Sequence, residues 1–358
     1  MMSAAQPQRA KCGNKADMRV EVSSDPVAWD SYVEATPNAS NYHRWVWRRA
    51  IEATYGHQPY YLMASDNRGP EGILPLFLIR SQLFGSSLVS MPFFSYGGVL
   101  TRSPEAREKL LAQAVKLGRD LGVRHIELRQ GFDSVSEAGW HDTTAKITMV
   151  VSLPPNVEEY WTRMSGKLRK RLRYARKRGL TAQWGGGEAV DAFYAIFATN
   201  MRNLGTPVYP RQWFANMCRY APEVRILSLW DEGRPVAAAF LTSFRGALEV
   251  PWAASLPESR DKFSPRLLYW TLLEWAIENG YRSVDLGRCT PGGGNHQFKR
   301  YWMSQEKPLH WCYWLAPGAR LPEMHADSPR YRLAVQVWKH LPLAVANRLG
   351  PRIVRSIP

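Results

Sequence analysis

Two stretches of the chain repeat one pattern of apolar and polar positions. Ser103-Pro104 opens a run with apolar residues three and four apart; it closes at Gly122 and passes into the short apolar segment Val123–Leu128. Ser264-Pro265 opens a second such run, which closes at Gly280 and passes into Tyr281–Leu286. From Ser103 to Ser264 is a step of 161 residues, and from Gly122 to Gly280 one of 158. Ser before a helix, Pro at its first position and Gly just past its end are what helix termini favour. Each run thus predicts a helix feeding a strand with one acidic residue, Glu127 or Asp285. Upstream, Tyr60–Ala64 turns at Asp66–Gly69 into Ile73–Phe77, and Arg225–Leu229 turns at Asp231–Gly233 into Val236–Phe240. Apolar strands joined by Asp- and Gly-rich turns predict hairpins. Each half therefore reads as hairpin, further strand, helix, strand, and the shared order favours duplication over a chance likeness of helix caps.

The halves meet near residue 152. Pro154-Pro155 breaks the chain, Asn156 with Glu159 forms a capping-box-like start, and a helix is expected to run on to Gly179. The division is then a first module over 18–151, a second over 152–316 and a tail over 317–358. In the tail Leu333, Val335, Val337, Trp338, Leu341, Leu343, Val345 and Leu349 are apolar. Arg330, Arg332, Lys339, Arg348, Arg352 and Arg355 carry charge, with no acidic residue beyond Asp327. Pro342 splits this pattern into two short amphipathic helices. They either lie on an anionic membrane surface or pack on the second module.

Length and composition agree with two packed domains: 358 residues, 45% hydrophobic and 12% aromatic, are enough for two cores and argue against disorder. The balance of 47 Lys and Arg against 31 Asp and Glu, a formal charge of +16, favours polyanionic partners. Nucleic acid, phosphorylated sugar nucleotides, coenzyme A and an anionic membrane face all qualify. Cys12, Cys218, Cys289 and Cys312 show no paired spacing, so neither a zinc site nor a disulfide framework is expected. No leader-like apolar segment opens the chain and no apolar run approaches the ~20 residues of a membrane span. The expected location is cytoplasmic, with contact at the inner membrane face left to the tail.

Three stretches carry candidate chemistry. Residues 167–179 hold eight cations and no carboxylate, while Trp161, Met164, Leu168, Leu172 and Ala175 recur at helical spacing. The cations are either a solvated face or an anion site, and their crowding without carboxylate partners favours phosphate contact by Arg169, Lys170 and Arg173. The segment after the second strand runs from Gly287 to Trp302. Arg288 and the flexible Gly292-Gly293 stand where a ligand can approach backbone, and Lys299 is placed to stabilise an oxyanion or a leaving phosphate. As a lone lysine it is equally a surface cation. Residues 201–210 read as a turn ending a helix, with Arg202, Asn203 and Tyr209 as candidate substrate contacts. Aromatic clusters at 42–47 and 90–98 read mainly as core. No HExxH, Walker loop or GxSxG is present.

Taken together, GHQPYYLMA (56–64), residues 72–98, the basic helix, MRNLGTPVYPR (201–211) and DLGRCTPGGGNHQFKRYW (285–302) resemble the FemAB family, over most of the chain. The likeness is greatest to its exosortase/PEP-CTERM and exopolysaccharide-associated branch. The resemblance implies an α/β chain of two tandem acetyltransferase-like (GNAT-type) modules with mixed sheets and a C-terminal helical tail. It implies transfer of an acyl or aminoacyl group to an amine on a phosphorylated or lipid-linked envelope precursor. No cofactor is then bound permanently; aminoacyl-tRNA, acyl-CoA and acyl carrier protein stay open as donors. Phe298-Lys299 matches the family's Phe-Lys motif, which implies that Lys299 assists the tetrahedral transition state, and the basic helix matches its phosphate-contacting one. Two departures stand out: the coiled-coil arm of some tRNA-using members is absent, and Ser259–Arg266 replaces the glycine-rich loop that cradles coenzyme A in ordinary acetyltransferases. The rival readings are a polyanion- or RNA-binding protein without catalysis and an idle scaffold in polysaccharide assembly.

Overall fold

The structure, a computed structural model, describes residues 18–81, 85–135, 137–321 and 329–357. The first half runs β1 (Arg19–Val22), α1 (Pro26–Ala35), α2 (Trp45–Tyr55), β2 (Gln58–Asp66), β3 (Gly69–Ser81), β4 (Gly85–Ser90), β5 (Leu100–Thr101), α3 (Pro104–Asp120), β6 (His125–Gly131) and β7 (Trp140–Ser152). The second continues with α4 (Val157–Arg163), α5 (Gly166–Arg176), β8 (Thr181–Gly185), α6 (Val190–Leu204), α7 (Arg211–Tyr220), β9 (Arg225–Asp231), β10 (Arg234–Phe244), β11 (Ala247–Ser255), α8 (Ser264–Glu278), β12 (Ser283–Cys289), α9 (Gly294–Arg300) and β13 (Gln305–Leu315). The tail forms α10 (Pro329–Lys339) and α11 (Leu343–Val354).

Both halves show the expected hairpin, strand, helix, strand order. β2–β3 and β9–β10 are antiparallel hairpins. After its crossover helix each half returns parallel to the third strand, with Val89 opposite Glu127 in β4–β6 and Glu249 opposite Asp285 in β11–β12. The strands join one mixed sheet in the order β1-β2-β3-β4-β6-β13-β7-β12-β11-β10-β9-β8, with β5 beside β3. The last strand of each half serves the other half. β13 pairs with β6, placing Trp314 opposite Ile126, while β7 pairs with β12, placing Val150 opposite Asp285.

Alternation along the strands sorts side chains between the two sheet faces. In β10, Ala237, Ala239 and Leu241 join the core under α4, α5 and α8, whereas Ala238 and Phe240 face the other way. There they meet a large aromatic core shared by α1 and α2 of the first half and α6 and α7 of the second, including Trp29, Trp47, Phe94, Trp213 and Phe214. A third core, under α3, closes the first half.

Two local expectations change. The helix expected from Asn156 to Gly179 is two helices. The Asn156 side chain does cap α4, accepting from the Glu159 amide at 2.8 Å, but Met164 turns extended and the Ser165 hydroxyl starts α5 by accepting from Leu168. Gly166, a weak helix former, sits at that break. Ser103 caps α3 as expected, by accepting from Ala106 at 3.2 Å. Ser264 does not cap α8: the capping position falls on Phe263, held left-handed at φ +56°, and the buried Ser264 hydroxyl bonds Ser259 at 2.6 Å. The tail breaks at Pro342 as expected, and both helices pack on α6.

Because each half borrows a strand, neither has a complete sheet alone. Fragments 18–153 and 154–321 made separately are expected to show no cooperative thermal transition, and mixing them during refolding is expected to restore one. A cooperative melt of either fragment alone would show that the exchanged strand is dispensable.

Candidate functional site

Where β11 and β12 part, beyond the Glu249–Asp285 pair, polar side chains from both halves collect inside the sheet. Asp285 is buried and accepts from the Gly287 amide at 2.8 Å, from the Tyr96 hydroxyl at 3.0 Å and from the Thr148 hydroxyl. Tyr96 comes from the loop after β4 and Thr148 from the exchanged β7, so the first half supplies two of the three donors. Glu249, its neighbour across the strands, is also buried. Burial first, then the Asp285 charge, pushes its pKa up to about 8, against the opposing pull of the nearby Tyr42 and Tyr96 hydroxyls. A carboxyl so placed is proton-poised near neutrality.

Lys299, near the end of α9, points into the same gap. Its side chain is 3% exposed, and its amine donates to the carbonyls of Gly287 at 2.6 Å and Arg288 at 3.1 Å. Burial lowers its pKa to about 8. An ammonium has three donors; two are spent on these carbonyls, and one is left for a reacting oxygen. The gap exists because residue 287 is glycine: at φ +83°, a Cβ here would stand 2.6 Å from the Val250 carbonyl and 3.7 Å from the lysine amine.

Arg288 follows Gly287 near the end of β12; its guanidinium is packed among protein atoms while the residue as a whole stays exposed. Burial, then the positive charge of Arg129, lowers its pKa. The indole of Trp311 on β13 is shared: Arg129 stands 4.6 Å and Arg288 4.9 Å from its centre. Arg129 is neutralised by Glu127 at 2.8 Å, whereas Arg288 has no carboxylate within ion-pair distance among the described residues.

Beside the gap a cavity of about 150 Å³ lies between Ala253 and Ser255 of β11, Pro265 and Leu268 of α8, and Asn295 and Phe298 of α9. Arg266 stands in the first turn of α8, half-buried and close enough to Arg171 of α5 for the two charges to repel; burial and that repulsion lower its pKa.

The other sequence-chosen residues are dispersed. Lys170 and Arg173 are exposed on α5, with Arg173 over the Trp161 ring at 5.6 Å, and the Arg169 Nε is buried without a hydrogen-bond partner among the described residues. Arg202 reaches the Lys339 carbonyl at 3.5 Å, toward the tail, and Asn203 is exposed beside it. Tyr209 stacks into the aromatic core, 5.7 Å from Trp252. Gly292 donates its amide to His296 at 3.0 Å and Gly293 donates to the Thr290 carbonyl at 3.2 Å, so both amides are occupied within the turn. Sequence reasoning missed Glu249, Tyr96, Thr148 and Arg129 as site residues. One signal was present: Glu249 is the single charge in the otherwise apolar strand ALEVPWAAS.

Residues 163–300 match the family model of the acetyltransferase (GNAT) domain. Among solved structures, the chain is similar to FemX at 14% identity and a TM-score of 0.63, over 87% of this chain and 98% of that one. It is similar to a tandem GNAT protein of the clavulanic acid biosynthesis pathway at 12% and 0.55, over 84% and 98%. It also resembles the C-terminal domain of a putative lysylphosphatidylglycerol synthetase from Agrobacterium fabrum at 14% and 0.54, over 76% and 88%. No curated protein matches the chain at a significant level. The fold is therefore that of tandem acetyltransferase-like modules. Its polar gap lies where the parallel strands of the second module part.

Glu249 supplies a sign-definite stability test. Its pKa rises from an ordinary 4.5 to about 8 on folding, so the stability it contributes is complete below 4.5 and is lost as pH rises toward 8. The difference in stability between wild type and Glu249→Gln, measured by urea unfolding, is expected to fall between pH 5 and about 8; the opposing rise from buried His43 and His57, whose pKa values are lowered to about 4, is common to both proteins and cancels. An identical slope in the variant would show that the carboxyl titrates normally.

Proposed function

We propose that the chain transfers an acyl or aminoacyl group from an activated donor to an amine of a cell-envelope precursor, at the gap between β11 and β12. The observation that carries this reading is the pairing of a buried Lys299 amine with a proton-poised Glu249, each within electrostatic reach of Asp285. Direct attack by a neutral amine on an activated carbonyl creates an oxyanion and an ammonium. The free donor of Lys299 stabilises the first, and the Glu249 carboxylate takes the proton from the second; collapse of the tetrahedral intermediate then breaks the bond from the carbonyl carbon to the donor oxygen or sulfur, and the leaving group departs with that proton returned from Glu249. Asp285 and its donors fix the strands between which both act, a positioning role.

The phosphate-bearing end of the donor is proposed to lie along Arg266 and Arg171, with Arg169, Lys170 and Arg173 extending the positive surface. The substrate anion is assigned to Arg288. Aminoacyl-tRNA, acyl-CoA and an acyl carrier protein all present such phosphates. An envelope acceptor is supported by the likeness to FemX and to a putative lysylphosphatidylglycerol synthetase, and an exopolysaccharide precursor as that acceptor by the sequence resemblance. Mass spectrometry of natively purified protein identifies the donor. The competing polyanion-binding reading predicts binding that tracks salt and ignores Lys299.

With donor and acceptor in hand, Lys299→Met is expected to slow transfer roughly ten- to a thousandfold without loss of fold; unchanged turnover would remove Lys299 from the chemistry. The pH profile of kcat/KM is expected to peak near 8. The acid limb is the ionisation of Glu249 at about 8, and the alkaline limb is the loss of the Lys299 charge, also at about 8. Glu249→Gln is expected to be slower by about 10²-fold or more and to lack the acid limb. A variant that keeps that limb would assign the proton acceptor elsewhere.

A further inference from the structure

A larger hollow, of about 680 Å³, lies away from this gap, between the start of β2, the end of β3 and the last turns of α11. Arg80, Arg352 and Arg355 line it, and none of the three has a carboxylate within ion-pair distance among the described residues. Tyr60 and His57 are the other titratable residues of its wall, and the His57 ring stacks on Tyr55 at 5.6 Å and Phe93 at 6.0 Å. Burial, then the Arg355 charge, pushes its pKa down to about 4, so it is neutral at physiological pH. The charge of the cleft is that of three guanidiniums, whose forked donors suit phosphate oxygens.

The helix that supplies two of these arginines has a second unpartnered feature. α11 buries Ala346, Gly350 and Val354, each four residues apart, and the close fit is visible at Gly350, where a Cβ would stand 2.8 Å from the Val208 amide nitrogen. One residue earlier in each turn, Val345, Leu349 and Ile353 form an exposed apolar row, and Leu333 and Val337 of α10 are exposed as well. Arg348, Arg352 and Arg355 flank the row, and no acidic residue occurs between Pro329 and Ile357. Ile353 belongs to both features, ending the row and lining the cleft. An apolar row edged by cations, opening into an arginine-lined cleft, matches an anionic lipid interface: acyl boundary against the row, headgroup phosphate in the cleft.

We propose that α10 and α11 lie on an anionic phospholipid surface and that this cleft holds a lipid phosphate headgroup, gripped by Arg80, Arg352 and Arg355. The site is separate from the transfer gap and does not depend on the reaction proposed there.

The test uses the full chain and vesicles of phosphatidylcholine alone or mixed with phosphatidylglycerol. Co-sedimentation is expected only with the mixed vesicles. Leu349→Ser with Ile353→Ser is expected to abolish it, and Arg80→Gln with Arg352→Gln and Arg355→Gln to weaken it by about tenfold or more. All of these side chains are at the surface, and thermal melting confirms that the variants remain folded. Titration with inorganic phosphate and glycerol phosphate separates the sources. Arginine-dependent binding of these soluble esters by a protein that ignores vesicles would overturn the lipid assignment in favour of a soluble phosphate ligand. Arginine-dependent capture of single-stranded RNA without vesicle binding would overturn it in favour of a polyanion surface. Vesicle binding unchanged in both sets of variants would overturn it outright.

Discussion

A carboxylate shut away from water needs hydrogen-bond donors, and the way Asp285 obtains them organises the molecule. One donor is local, the Gly287 amide, while Tyr96 and Thr148 belong to the other half of the chain. Thr148 is within reach only because β7 lies against β12 rather than beside its own sequence neighbours. The exchange of β7 and β13 is therefore more than a way of closing an edge. It brings first-half donors to a second-half acid, and makes the polar gap a property of the junction.

The two carboxyls in this gap cannot both be charged cheaply. Asp285 accepts from three donors, whereas Glu249 is buried with Asp285 as a repelling neighbour, so the pair divides its roles by environment. Lys299 answers the same constraint from the opposite sign. Its charge is tolerated because two carbonyls accept from it, yet burial keeps that charge labile. An acid and a base with pKa values close together give the narrow pH window on which the proposed transfer depends.

Much of the architecture was legible because helix caps, turns and alternation are local. Asn156, Ser103 and Pro342 act where their positions predict. Ser264 failed as a cap because the residue before it, Phe263, adopts a left-handed backbone that no local rule assigns to a phenylalanine. Lys299 and Arg288 could be chosen from sequence because they follow a strand end. Glu249, Tyr96 and Thr148 could not be placed together, since their proximity depends on strand pairing across the whole chain. Strand exchange leaves no mark on hydrophobic periodicity: β7 and β13 read the same whichever half they join. The spread of the basic helix was likewise hidden, since which cation nears α8 depends on how α5 crosses it, and the neighbour of Arg266 is Arg171.

Register explains why one of the two duplicated junctions became the polar gap. β6 and β12 correspond residue for residue, so Arg129 occupies the place of Gly287 and Gln130 that of Arg288. In the first half the Gln130 side chain accepts from the Val99 amide at 2.9 Å and donates to the Val99 carbonyl at 2.8 Å, stitching the parting strands to a passing segment. Arg129 fills the adjoining space with its own guanidinium, fixed to Glu127 and to the Phe94 carbonyl. In the second half glycine removes that bulk, an amine from α9 enters the vacated space, and Arg288, at the place of Gln130, makes no such stitch among the described residues. Opposite Glu127 stands Val89, but opposite Asp285 stands Glu249. The same backbone thus hosts a sealed junction and an open one, and the difference resides in a handful of side chains at equivalent strand positions. Sealing the first junction rigidifies the wall that carries Tyr96, and that wall in turn holds Asp285 in the open one.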